Sequence, residues 1–136
     1  MTTNEKGNGI DWSKILPNIF TDRRFRELRW NCWYGEVDGA KVGVVFATRN
    51  IAEYNTFALN KPELDRLRVG IETKRLDHAF VMAVNLNGPD RDYCGWATLK
   101  DIDHKIDLHR LRPRDGKFGD FYSLPPGTID DPDVPF

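Results

Sequence analysis

The spacing of apolar residues changes character several times along the chain, and each change predicts an element. Asp11 can cap a short helix over Trp12–Leu16, which Pro17 ends. Thr21 or Asp22 can cap a second helix, TDRRFRELRW, in which Phe25 and Leu28 share a face. From Trp30 to Val37 the period becomes two, with Trp30, Cys32 and Tyr34 on one side and Asn31, Trp33 and Gly35 on the other. Asp38-Gly39 then predicts a hairpin turn, because both residues tolerate positive φ. KVGVVFAT reads as a second strand, apolar and β-branched enough to be central, and Tyr54–Leu59 as a short third one.

Helical spacing returns after Asn60 and Pro62, a cap and first-turn pair. There Leu64, Leu67 and Ile71 share a face, with charge on the other side. HAFVMAVNL predicts a buried strand, NGPD a turn, and DYCGWAT a strand pairing back. Leu99–Ile106 reads as a short helix, RPRDGKFG as a turn and DFYSL as a last strand. The order is α-β-β-β-α-β-β-α-β. A meander, a crossover helix and flanking short helices predict an α/β (α+β) domain with a mixed sheet. The expected core includes Val44, Phe46, Leu64, Leu67, Ile71, Val81 and Val84.

The expected organisation is a flexible segment over 1–10, one domain over 11–124, and a flexible acidic, Pro-rich tail over 125–136. The tail holds four of the eight prolines, and residues 118–136 carry four Asp and no Lys or Arg. The whole chain has a net charge of -1, so that stretch is -4 and the remainder +3. With 40% hydrophobic and 30% charged residues in 136, the balance is that of one globular domain. Cys32 and Cys94 sit in apolar runs and read as reduced, buried thiols. The opening segment has no apolar core of a signal peptide, and no run approaches the length of a membrane span. A cytoplasmic protein with no membrane partner is expected.

Candidate chemistry is sparse. DIDHKIDLH gathers Asp101, Asp103, His104, Asp107 and His109 but matches no zinc or calcium spacing, so it reads as a solvated helix face. No nucleophile motif or phosphate-binding Gly loop is present, so neither a catalytic residue nor a cofactor is predicted. The arginines are more informative. Arg23, Arg26 and Arg29 crowd the expected first helix, Arg66 and Arg75 the crossover helix, and Arg112 and Arg114 the loop before the last strand. Brought to one face they would bind phosphates; scattered among the acids in the same segments they would make surface ion pairs.

Three features resemble the PD-(D/E)xK nuclease-like superfamily, over about Asp22 to Thr98. Asp38-Gly39 stands where such proteins place a metal-binding Asp before a strand. Val45–Arg49, VFATR, is similar to their E-x-K-T-R segment. KRLDHAFVMAV followed by CGWAT is similar to their next helix end and strands. The resemblance implies an α-β-β-β-α-β core. It also implies a lost site, since Val45 replaces the metal-binding Glu and Ala47 the catalytic Lys, leaving Asp38 and Glu27 as matching acids. The expectation is therefore a non-catalytic domain, without a metal, contacting nucleic acid or a nucleic-acid-handling protein. Two alternatives stand beside it. One is a metal-dependent nuclease with a rearranged site drawn from Glu36, Asp38 and Glu53. The other is a protein-interaction module acting through the acidic tail that ends in Val134-Pro135-Phe136.

Overall fold

The computed structural model describes residues 9–29, 31–49, 56–85, 92–117, 119–125 and 128–129. Seven strands form one largely antiparallel sheet: β1 (Phe25–Arg29), β2 (Cys32–Val37), β3 (Ala40–Arg49), β4 (Phe57–Asn60), β5 (His78–Asn85), β6 (Asp92–Thr98) and β7 (Phe121–Leu124). Three helices are interleaved with them: α1 (Trp12–Ile15), continued by a single 3-10 turn, α2 (Lys61–Glu72) and α3 (Leu99–Leu108). The fold is α+β with a mixed sheet and one crossover helix.

The long strand β3 organises the sheet. Its first half pairs antiparallel with β2, from Val37↔Ala40 to Cys32↔Val45. Its other side pairs parallel with β5, from Val42↔His78 to Arg49↔Asn85, and α2 makes the crossover between these two strands. Beyond the end of β2, Thr48 pairs with Ala58 of β4, which carries β7 on its far side. Asp38 and Gly39 form the β2–β3 turn with φ of 51° and 83°, as a two-residue hairpin requires.

Strand alternation divides the core into two halves. Val45, Ala47, Ala79, Val81 and Ala83 face α2 and α3, packing on Leu64, Leu67, Leu99, Ile102 and Ile106. Val42, Val44, Phe46, Phe80, Met82 and Val84 face the α1 side, packing on Leu16 and Ile19. Met82 is central and fully buried.

The sequence expectation needs correction at four places. The segment TDRRFRELRW is not a helix: residues 25–29 are the edge strand β1. Arg, Glu and Leu favour a helix locally, but Phe25 pairs with Gly35 of β2 and lays its ring over that glycine. A Cβ at position 35 would fall 2.5 Å from the ring, so the missing side chain makes the space that Phe25 fills. The third strand begins at Phe57, and Tyr54 and Asn55 lie outside the described residues. Ile71, in the last turn of α2, is 37% exposed, and Leu76 packs against Gly70 of the same turn. Finally, Thr128 and Ile129, within the expected flexible tail, are buried. Ile129 joins the α2–α3 half of the core, and Lys105 Nζ donates to the Thr128 carbonyl at 2.6 Å.

Cys32 is a buried free thiol, and the side chain of Cys94 lies outside the described residues. No helix among the described residues is long and apolar enough to cross a membrane.

Candidate nucleic-acid interface

The register fixes where the implied metal residues stand. Asp38 is exposed at the hairpin tip, whereas Val45 is buried opposite Cys32 at the other end of the β2–β3 ladder. Seven residues of strand separate the two, roughly 20 Å at the usual rise. Ala47 is buried one step further along the same face. Glu27 is carried on β1 opposite Trp33, on the α1 side of the sheet, and Glu36 pairs with Lys41 near the hairpin tip. Glu53 lies outside the described residues. In α3, Asp103 is taken up by a salt bridge to Arg68, and Asp101, His104 and Asp107 are exposed on the helix surface. Among the described residues no three His, Cys, Asp or Glu side chains group into a metal site.

The basic residues divide differently from their sequence order. Gly43 lies beneath Leu67 of α2 and Leu76, so the cross-strand row Arg26–Tyr34–Gly43 belongs to the α2 face. Two residues towards the hairpin tip, the row Glu36–Lys41 lies on that face too. Arg29 pairs with Cys32 beyond a bulge and reaches α2, where its guanidinium holds Glu63 at 3.2 Å. Arg66 holds the same carboxylate at 2.8 Å from the next turn of α2. Arg26, Arg29, Lys41 and Arg66 therefore share a strip between α2 and the β1–β2–β3 end of the sheet, with Glu36 and Glu63.

Glu63 is only 12% exposed at its side chain, while Arg29 and Arg66 keep 43% and 55%. Two guanidiniums thus flank one sheltered carboxylate and leave a net positive charge at the surface. The Asn60 side chain caps α2 by accepting from Glu63 N at 3.1 Å, which fixes the turn that carries Glu63. Arg29 Nη2 also donates to Cys32 Sγ at 3.3 Å. Burial pushes the Cys32 thiol up to about 11, and the Arg29 charge only partly opposes this. The Arg29 guanidinium is in turn raised by its hydrogen bond to Glu63.

The other predicted arginines lie elsewhere. Arg23 is exposed in the turn before β1, and Arg75 in the turn after α2. That turn is tied to the strip by Asp77, which exchanges backbone and side-chain hydrogen bonds with Lys41. Arg112 and Arg114 are exposed on the segment leading to β7, where Arg114 bridges to Phe121. β7 and β1 are opposite ends of the strand path β1-β2-β3-β4-β7.

Sequence reasoning missed Lys41, Tyr34 and Glu63, whose membership depends on register. It also missed Arg49, whose guanidinium stacks 4.4 Å over the Phe57 ring and donates to Asn85 Oδ1 at 3.0 Å. An Arg ending one parallel strand level with an Asn ending the next is visible only once β3 and β5 are aligned. Compared with protein-family models, curated proteins and solved structures, the chain finds no match.

Proposed function

We propose that this chain is a non-catalytic binding domain that holds the phosphate backbone of nucleic acid along the strip between α2 and the β1–β2–β3 end of the sheet. The observation that carries the reading is the double engagement of Glu63 by Arg29 and Arg66, beside Arg26 and Lys41 on the same face. Both guanidiniums are oriented by the carboxylate yet retain outward N–H donors, and a planar fork of donors suits phosphate oxygens. Tyr34, half-buried in the row with Arg26, offers an aromatic surface within the same strip.

Kinship with the PD-(D/E)xK nuclease-like group is part of the proposal and rests on the parallel β3–α2–β5 crossover next to an antiparallel hairpin. The strand at 25–29 departs from the leading helix that this group implies, and Asp38, Val45 and Ala47 offer one carboxylate at an exposed tip. A hard cation needs several oxygens held together, so chemistry at these positions is absent from the reading.

The test is incubation of the purified protein with labelled single- and double-stranded DNA and RNA, in Mn²⁺ or in EDTA. Binding that is equal in both, without cleavage, and lost on replacing Arg26, Lys41 and Arg66 together by Ala, is the expected result. Metal-dependent cleavage abolished by Asp38→Ala would replace this reading with the nuclease. Failure to bind either polymer at low salt would leave the protein-partner alternative.

A further inference from the structure

A cavity of about 440 Å³ opens between α2, the start of β5 and the first turn of α3. It is on the other side of α2 from the arginine strip: Arg66 shares Glu63 with Arg29 of β1, whereas Arg68 turns to Asp103 of α3. The sheet register makes the space. The pairing of β5 with β6 ends at Phe80↔Thr98, so His78 and Ala79 run on past the end of β6 while the chain leaves the sheet as α3. Ala79, buried on the α2–α3 face, becomes a floor between the two helices, and Ile71 and Leu99 stand beside it. The Arg68–Asp103 bridge ties α2 to α3 across the cavity, with Arg68 Nε donating to Asp103 Oδ1 at 3.1 Å.

Size and apolar lining indicate a small molecule. The volume falls in the range of small-molecule sites. Ile71 is 37% exposed here, an aliphatic side chain that an occupant would cover.

Charge narrows the occupant further. Arg68 is neutralised by Asp103 and Asp65. What remains is Glu72 on the α2 wall, Asp77 just before β5, and Lys100 on the α3 wall. Glu72 and Lys100 are exposed, and among the described residues their side chains enter no ion pair. Lys100 is also in the first turn of α3, where unused N–H groups favour negative charge and the Thr98 side chain takes up only Asp101 N. One wall is therefore acidic and the facing wall basic, over an apolar floor. A plain anion would meet Glu72 and Asp77, and a plain cation would meet Lys100. An uncharged apolar molecule would strip water from these charges and return no partner. A molecule carrying an ammonium, a carboxylate and an apolar branch satisfies every wall.

We propose that this cavity binds a free α-amino acid with an apolar side chain. Its carboxylate is held at Lys100 and the first turn of α3, its ammonium at Glu72 and Asp77, and its side chain over Ile71, Ala79 and Leu99. The site is independent of the arginine strip, and either can fail without the other.

Titration of the ¹⁵N-labelled protein with L-leucine and with L-phenylalanine, followed by NMR at the backbone amides of Ala79, Leu99 and Lys100, tests it. Saturable shifts at these amides are expected. Leucine amide lacks the carboxylate and N-acetyl-leucine lacks the ammonium, and each should bind about ten-fold weaker or more than leucine. Glycine keeps both charges without the side chain and should also bind more weakly. Lys100→Ala should weaken leucine but leave leucine amide as it was, and Glu72→Gln should weaken leucine but leave N-acetyl-leucine as it was. Both residues are exposed, so these variants keep the core intact. Absence of saturable shifts with both amino acids would overturn the site. Equal binding of leucine and its two blocked forms, or of leucine and glycine, would overturn the assignment of an apolar amino acid to it.

Discussion

Cys32 shares its surroundings with a guanidinium and a carboxylate, an arrangement that in an open cleft would activate a thiol. Here burial decides the outcome. The residue is 5% exposed, and desolvation pushes its thiol up to about 11 against the pull of Arg29. The thiolate is the nucleophile, so native Cys32 should be inert near neutral pH. Alkylation by iodoacetamide at pH 8, located by peptide mass, should be slow at Cys32 in the native protein and fast after unfolding. Rapid native labelling would contradict the assignment. The same shift has a stability consequence with a definite sign. The folded state keeps this proton at pH values where the unfolded chain has begun to release it. Its contribution is therefore complete below about pH 9 and declines as the pH rises through about 11. The loss is bounded at about 3 kcal/mol and should be absent from Cys32→Ala.

At the scale of elements, α2 is held by its cap and by an ionic clamp to α3, and these differ in worth. Asn60 accepts from Glu63 N at 3.1 Å, closing the first turn. Arg68 binds Asp65 on its own helix and Asp103 on α3, and Lys61 also reaches Asp65 at 2.7 Å. Burial raises the Asp65 carboxyl, but Lys61 and Arg68 outweigh it, and the net shift is downward. That contribution is present above about pH 4 and fades as the carboxyl protonates in acid. These partners keep 30 to 41% exposure, so solvent screens the clamp. Urea denaturation should show Asn60→Ala losing about 1 kcal/mol and Arg68→Ala no more than that. A much larger Arg68→Ala loss would show the clamp to be the main tether. Much of α2 was legible in the sequence, because Asn60, Pro62, Leu64 and Leu67 are local signals. So were β2, β3 and β5, with their alternation or unbroken apolar runs. The strand at 25–29 was not legible, since Arg-Glu-Leu has helical preference and only pairing with Gly35 overrides it. Ile71 misled for a related reason: helical period says which face a residue shares, not how fully its neighbours cover it.

For the whole molecule, a net charge of -1 means that any hold on a polyanion must come from uneven distribution rather than total charge. The sequence names Arg26, Arg29 and Arg66 but groups them with Arg112 and Arg114, which stand on the segment leading to β7 and not on β1 or α2. Lys41 joins the strip only because β2 and β3 pair as they do. Strand register thus separates the proposed phosphate-binding strip from a merely basic composition. It also sets the size of the salt effect. Arg29 is partly committed to Glu63 and Cys32, so the most accessible contributors are Arg26, Lys41 and Arg66. Each phosphate contact on a single strand releases about 0.7 of a counterion, so three contacts give a log–log salt slope of about -2. Raising monovalent salt from about 50 to about 200 mM should then weaken binding by about 20-fold. Replacing the three cations by Ala should flatten the slope towards zero, with the same loss for every sequence, because backbone contacts carry no sequence information. Anisotropy titrations over that salt range measure both quantities. A slope that survives the triple substitution would place the phosphate contacts elsewhere on the chain, and the arginines around Arg112 and Arg114 would be the next group to replace.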